Sequence, residues 1–177
     1  MNKDEITAHV LLARNGDTAA FCKLYELYYK DMYRYAYYML GGDDDVEDVI
    51  SETVLDAFTG IKKLKHPAKF KAWIFQILTT KCKRQIATYI KNREHINDDP
   101  DFDNLKTEDH PYALSVDVRN AFSTLNEMEK TVVSLMVFGG YTSREVARIL
   151  KSREGTIRSL KSRAFNKMSE YLKEEPA

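Results

Sequence analysis

Residues 141 to 159 constrain the fold of this chain more than any other stretch. Thr142 and Glu145 have the T-x-x-E spacing of a capping box, which satisfies orphan amides at a helix start. Val146, Ile149 and Leu150 give that helix an apolar face, and Ala147 is small enough for a second helix to approach closely. A polar turn, Lys151-Ser152-Arg153, follows. Ile157, Leu160, Ala164 and Met168 then recur at spacings of three and four, the inner face of a second helix. Its outer face carries Thr156, Arg158, Ser159, Ser162 and Arg163. Two helices meeting at a sharp angle, the second polar and basic outside, have the layout of a helix-turn-helix that enters a major groove. A plain helical hairpin with a solvated face is the competing reading. Seven bases against one acid between residues 148 and 167 favour a surface for phosphates.

The formal net charge of zero hides sorted blocks. Residues 43 to 56 hold seven acids and no base, and residues 60 to 93 hold ten bases and no acid. Residues 97 to 109 hold six acids and one base, and the basic helix-turn-helix comes last. A chain needing only solubility would intersperse its signs. Sorted blocks point to separate surfaces for separate partners.

With 177 residues, 7 Gly and 4 Pro, the composition suits one ordinary domain or two small helical ones, and the charge map favours two. No apolar run approaches the roughly 20 residues that span a bilayer. The polar, acidic start, Met1 to Glu5, is unlike a signal peptide. Cys22 and Cys82 lack metal-ligand spacing and are expected to be reduced thiols in a cytoplasmic protein.

The expected helices follow from periodicity and stop signals. Residues 4 to 15 place Ile6, Val10 and Leu11 or Leu12 inward, and Asn15-Gly16-Asp17 ends the run. The next helix reaches about Leu40, with Phe21, Leu24, Tyr25, Tyr28, Met32, Tyr35 and Met39 on one stripe. Its seven tyrosines suit core packing, with base stacking as the alternative. A third helix, about 44 to 60, points Val46, Val49, Ile50, Val54, Ala57 and Phe58 inward, while Asp45, Asp48, Glu52 and Asp56 recur outward. Acids at a helix start suit the macrodipole. Glu52 and Asp56 lie beyond that reach, leaving a solvated face or a protein-docking face. The basic connector from Lys62 to Lys69, broken by His66-Pro67, leads into an aromatic and basic helix from Phe70 to Arg84. That mixture suits single-stranded nucleic acid, where bases stack and phosphates pair; Trp73 taken singly also reads as a core anchor. Residues 94 to 112 have no periodicity and many acids, so they read as a linker, and a final helical domain begins near Ala113. About 20 linker residues extend to roughly 70 Å, a reach that suits two DNA elements separated by two or more helical turns of about 34 Å.

In this order the pieces resemble bacterial RNA polymerase sigma factors of the small extracytoplasmic-function kind. The resemblance rests on Gly16-Asp17-x-x-Ala20-Phe21-x-x-Leu24-Tyr25, on residues 45 to 53, on Phe70 to Ile77, on Leu125-x-x-x-x-Lys130, on Tyr141-Thr142-x-x-Glu145-Val146-Ala147 and on Glu154 to Ser159. It implies an all-α fold: an N-terminal helical domain over 1–93, an acidic linker over 94–112 and a C-terminal helix-turn-helix domain over 113–177. It implies docking on core RNA polymerase through Asp45, Asp48, Val49, Glu52 and Asp56. Lys65, His66, Lys69, Trp73, Thr80, Lys83 and Arg84 would capture the melted strand of the downstream promoter element, with a flipped base held in the 64–69 loop. Arg153, Thr156, Arg158, Ser159, Ser162, Arg163 and Lys167 would contact the upstream element as duplex. The linker would thread through the polymerase. An anti-sigma factor is a candidate further partner, and no cofactor, metal or membrane insertion is expected. The chain departs from the family's pattern at Ser51, where Gln is frequent, at Thr80, where Asn is, and at Asn126, where Pro is usual. In the turn, the family favours Gly at Lys151, an apolar residue at Ser152 and a capping Ser at Arg153.

Two other functions compete with this one. A promoter-binding regulator that never docks polymerase would keep the helix-turn-helix but leave the N-terminal charge blocks unused. An enzyme is disfavoured, because no metal-ligand cluster, Ser-His-Asp set or glycine-rich phosphate loop is present and the four His (9, 66, 95, 110) are scattered.

Overall fold

The structure is a computed structural model that describes residues 1–42, 45–94 and 116–174. Among these, every regular element is helical. Helices α1 (Lys3–Arg14), α2 (Thr18–Leu40), α3 (Val46–Gly60) and α4 (Phe70–Glu94) form the N-terminal half, with 3₁₀ turns at Ile61–Lys63 and Pro67–Lys69 before α4. Helices α5 (Val116–Ser123), α6 (Glu127–Val137), α7 (Ser143–Ile149) and α8 (Glu154–Glu174) form the C-terminal half. Most of the expected linker lies outside the described residues; Glu94 instead ends α4. No helix among the described residues is long and apolar enough to cross a membrane.

Local chemistry explains where these helices start. Asn2 and Glu5 close a capping box on α1, and Asp17 accepts from the Ala20 amide at the start of α2. Gly41, at φ +84°, ends α2 in a conformation that suits glycine. Asn126, where the family favours Pro, caps α6 by accepting from the Glu129 amide, and Glu129 accepts from the Asn126 amide in return. That departure exchanges one good helix start for another.

In α2, the stripe read from periodicity is inward, with Leu24, Met32 and Tyr35 fully buried. Tyr33, Ala36, Tyr37 and Tyr38 are buried as well, so most of the second half of α2 is enclosed, with Asp31 and Arg34 at its half-buried edge. Tyr35 faces α4, its hydroxyl 2.9 Å from that of Thr79. Tyr38 faces the C-terminal half, stacked on Phe138 at 5.2 Å and edge-on to Phe122 at 5.2 Å. Arg119 donates to the Tyr37 hydroxyl at 3.2 Å, and Phe75 meets Tyr141 edge-on at 5.9 Å. The buried tyrosines are therefore packing residues, and the two halves share one apolar core.

Two expectations about apolar faces are corrected. Phe58 is 42% exposed, with one edge on Phe21, and does not point into the core. Leu11 and Leu12 are both exposed, and Ala13 continues the inner face of α1. Each sits near a helix end or on a stripe edge, where a helical period alone tolerates either orientation.

Candidate nucleic-acid interface

The helix-turn-helix forms as its sequence dictates. Thr142 receives the Glu145 amide while its own amide and hydroxyl donate to the Glu145 carboxylate, at 2.9 and 2.8 Å. These bonds, the Thr142 amide first, hold the Glu145 carboxyl below its ordinary value. Val146, Ala147, Ile157 and Ala164 are buried between α7 and α8. Lys151 takes φ +50°, the left-handed conformation for which glycine is favoured. The turn thus keeps a glycine-type backbone without glycine, at a cost of about 1 kcal/mol.

Arg153, Thr156, Arg158, Ser159, Ser162 and Arg163 are all exposed around α8 and its entrance. Arg158 is paired with Glu154 at 2.6 Å, one turn earlier. In the open this pair contributes under about 1 kcal/mol, so phosphate or a base edge can replace the carboxylate. Lys167 is different. Its ammonium lies 2.8 Å from the carboxylate of Glu129, which is only 2% exposed on α6. Lys167 therefore braces α8 against α6, a role that competes with the phosphate contact expected from sequence.

Burial raises the Glu129 carboxyl, but the bond from Lys167, the Asn126 amide and the nearby Arg163 charge outweigh it, leaving the pKa lowered. A carboxyl with a depressed folded pKa stabilises the fold above its unfolded value, ordinarily 4.5 here. That contribution is lost as pH falls through the lower folded value. Lys167→Ala is expected to destabilise the C-terminal half by about 2 kcal/mol at neutral pH, by leaving a buried carboxylate short of its partner. Urea melts at pH 7 and at acid pH would check this: the difference between wild type and variant should shrink in acid. A difference independent of pH would rule out the ion pair as its cause.

In the N-terminal half, the connector and α4 assemble the other predicted surface. Lys65, His66, Lys69 and Trp73 line one cavity of about 420 Å³, together with Leu64, Gln76 and residues of α7. The Trp73 indole is half-buried. It packs on Phe70 at 5.9 Å, and a Cβ at Gly60 would come within 3.2 Å of it. Trp73 is thus both anchor and cavity wall, which reconciles its two sequence readings. Thr80 is exposed two turns along, its hydroxyl bonded to the Gln76 carbonyl at 2.9 Å. Lys83 lines a separate cavity beside Met39 and the start of α6. Arg84 pairs with Glu52 at 2.5 Å, and with both side chains exposed a phosphate can replace that carboxylate as it can at Arg158.

The acidic face of α3 splits in the same way. Lys81, 14% exposed in its side chain, lies 2.7 Å from Asp56 and 3.2 Å from Glu52. Bonding to Asp56 first, against desolvation and with help from Glu52, holds the Lys81 ammonium above its ordinary value. Glu52 and Asp56 thus tie α3 to α4, while Asp48 faces outward. Val49 is corrected: at 4% exposure it belongs to the core, out of reach of a partner. Sequence reasoning missed Leu55, which is 62% exposed one turn from Glu52 and two turns from Asp48 on the same stripe. An apolar residue placed outward amid acids was the available signal.

Comparison with known proteins agrees with this architecture. A sigma-70 region 2 family model matches residues 24–91, and a sigma-70 region 4 model matches residues 121–170, together about two thirds of the chain. The extracytoplasmic-function (ECF) RNA polymerase sigma factor BldN of Streptomyces coelicolor is 28% identical over 173 residues, covering 92% of this chain and 64% of BldN. The chain thus spans a little under two thirds of that relative's length. SigV of Bacillus subtilis, an RNA polymerase sigma factor, is 24% identical over 148 residues, covering 82% of this chain and 87% of SigV. Among solved structures, CnrH in complex with the cytosolic domain of CnrY superposes with a TM-score of 0.74 at 18% identity, over 97% of this chain and 99% of CnrH. RpoE of Bartonella quintana, solved with the anti-sigma factor NepR, gives 0.72 at 21% identity, over 88% of this chain and 98% of that one. These two likenesses establish the all-helical, two-domain fold. With both regions matched in order and relatives along nearly the whole chain, the protein belongs to the sigma-70 family, in its extracytoplasmic-function branch.

Proposed function

We propose that the chain binds core RNA polymerase and directs it to a defined set of promoters, without catalysing a reaction itself, in the cytoplasm. In this reading residues 1–93 dock polymerase and hold the melted downstream element. Residues 94–112 span the enzyme, and residues 113–177 read the upstream element. The observation that carries the proposal is the coexistence in one chain of two nucleic-acid surfaces of different chemistry. The α8 face is an exposed row of Arg, Thr and Ser on a capped helix-turn-helix, suited to duplex edges. The α4 entrance sets an indole beside Lys65, His66 and Lys69, suited to an unstacked base and its phosphates. A regulator that never docks polymerase has no use for the second. The stripe of Asp48, Glu52 and Leu55 supplies the polymerase contact, with Asp45 at its N-terminal end. Since RpoE is solved with NepR, an anti-sigma factor is proposed as a further partner.

Run-off transcription from a promoter library, with core polymerase and the full chain, tests this. Initiation at a discrete promoter class is expected, and Arg158→Ala should relax preference at one upstream base pair, worth about 1–3 kcal/mol of discrimination. DNA binding with no holoenzyme and no initiation would support the stand-alone regulator. An unchanged base profile for Arg158→Ala would remove Arg158 from base reading.

A further inference from the structure

The cavity beside Trp73 is closed on its other side by the C-terminal half. Glu145, Arg148 and Ile149 of α7 face the 64–69 loop and the first turns of α4 across it. Promoter-strand capture does not account for that second wall, since a strand on α4 would need it moved away. Its chemistry is lopsided. Lys63, Lys65, Lys69 and Arg148 ring the cavity, and none of the four forms an ion pair among the described residues. Three bases of the neighbouring α4, Lys71, Lys81 and Arg84, do have carboxylate partners. The one acid in the wall, Glu145, is occupied by the amide and hydroxyl of Thr142. Glu145 still offsets part of the Arg148 charge, but four cations against one carboxylate leave the cleft net positive, and its apolar walls focus that potential inside it. The walls are the Trp73 indole, Leu64, Ala72 and Ile149. At about 420 Å³ the cavity has the size of a small-molecule site.

We propose that this cavity binds a free nucleoside polyphosphate, with the base against Trp73 and Ile149 and the phosphates among Lys65, Lys69 and Arg148. A ligand touching both walls binds only the arrangement in which α7 lies against the loop, and so favours that arrangement by its differential affinity. It therefore competes with a promoter strand, which shares nucleotide chemistry and the α4 wall but not Arg148.

Trp73 is the only tryptophan in the chain, so its emission reports the site directly. The full-length protein would be titrated separately with ATP, inorganic triphosphate, adenosine and a single-stranded promoter oligonucleotide. Saturable change with ATP is expected, with triphosphate and adenosine at least tenfold weaker. Arg148→Ala, an exposed substitution whose helical content is checked by circular dichroism, should weaken ATP at least tenfold. It should leave the oligonucleotide within twofold. No response to ATP, an equal response to triphosphate, or an Arg148→Ala effect that is absent or equal for both ligands would each overturn the proposal. Failure of the oligonucleotide alone to bind would count against strand capture and leave the ATP result standing.

Discussion

Asp48→Arg combined with Leu55→Asp is expected to abolish co-purification with core RNA polymerase while leaving helical content and thermal stability unchanged. The pair is chosen on structural grounds. Reversing Glu52 would also strip a carboxylate from Lys81 and Arg84, so lost binding would be confounded with loosening of α3 from α4. Asp48 and Leu55 are exposed and make no such tie. An apolar residue beside charges is the composition of an interface centre, where few residues carry most of the energy. Placing a like charge there and removing the apolar contact should together cost 3 kcal/mol or more, roughly a hundredfold or greater loss of affinity. Gel filtration with core enzyme reads this out. Normal assembly by the double variant would exclude this face of α3 as the docking surface.

Gly139→Ala should be the most damaging single-methyl change in the C-terminal half. A Cβ there would lie 2.5 Å from the Leu135 carbonyl oxygen and 2.5 Å from the Tyr141 ring. Neither neighbour can yield. The carbonyl accepts the Tyr141 amide at 3.2 Å, and the ring is buried edge-on to Phe75 of α4. Overpacking of this kind costs about 3 kcal/mol. Because Tyr141 joins the two halves, the loss should appear in the unfolding of both. Gly140→Ala is the graded control. Its φ of +68° disfavours a side chain, yet the nearest atom to a Cβ is the flexible Lys71 ammonium at 3.7 Å. Strain of about 1 kcal/mol is expected there. Denaturation of both variants decides the matter: a larger loss for Gly140→Ala would show that backbone conformation, and not space, requires the glycine pair.

Much of this molecule is determined locally. The capping box at Thr142 joins residues three apart and is legible in the sequence, and the boxes that the structure adds at Asn2 and Asn126 are equally local. Helical periodicity likewise selects Ile157 and Ala164 as the inner face of α8 and leaves Arg158 and Arg163 outside. What periodicity cannot reveal is which partner an element meets. The tyrosines of α2 read as one buried stripe, and only the tertiary structure encloses Tyr37 and Tyr38 from the opposite side through Arg119, Phe122 and Phe138. Charge behaves the same way. Glu52, Arg84 and Lys167 all belong to correctly recognised charged faces, yet each has a partner on another helix. A charge run records that a face is polar, whereas long-range pairing depends on how helices distant in sequence are brought within a few ångströms. The sequence by itself determined the helices, their caps and the two kinds of basic surface. The tertiary structure alone decided which charges are free for a partner, and that α7 closes a cavity over Trp73, because both depend on the placement of one half of the chain against the other.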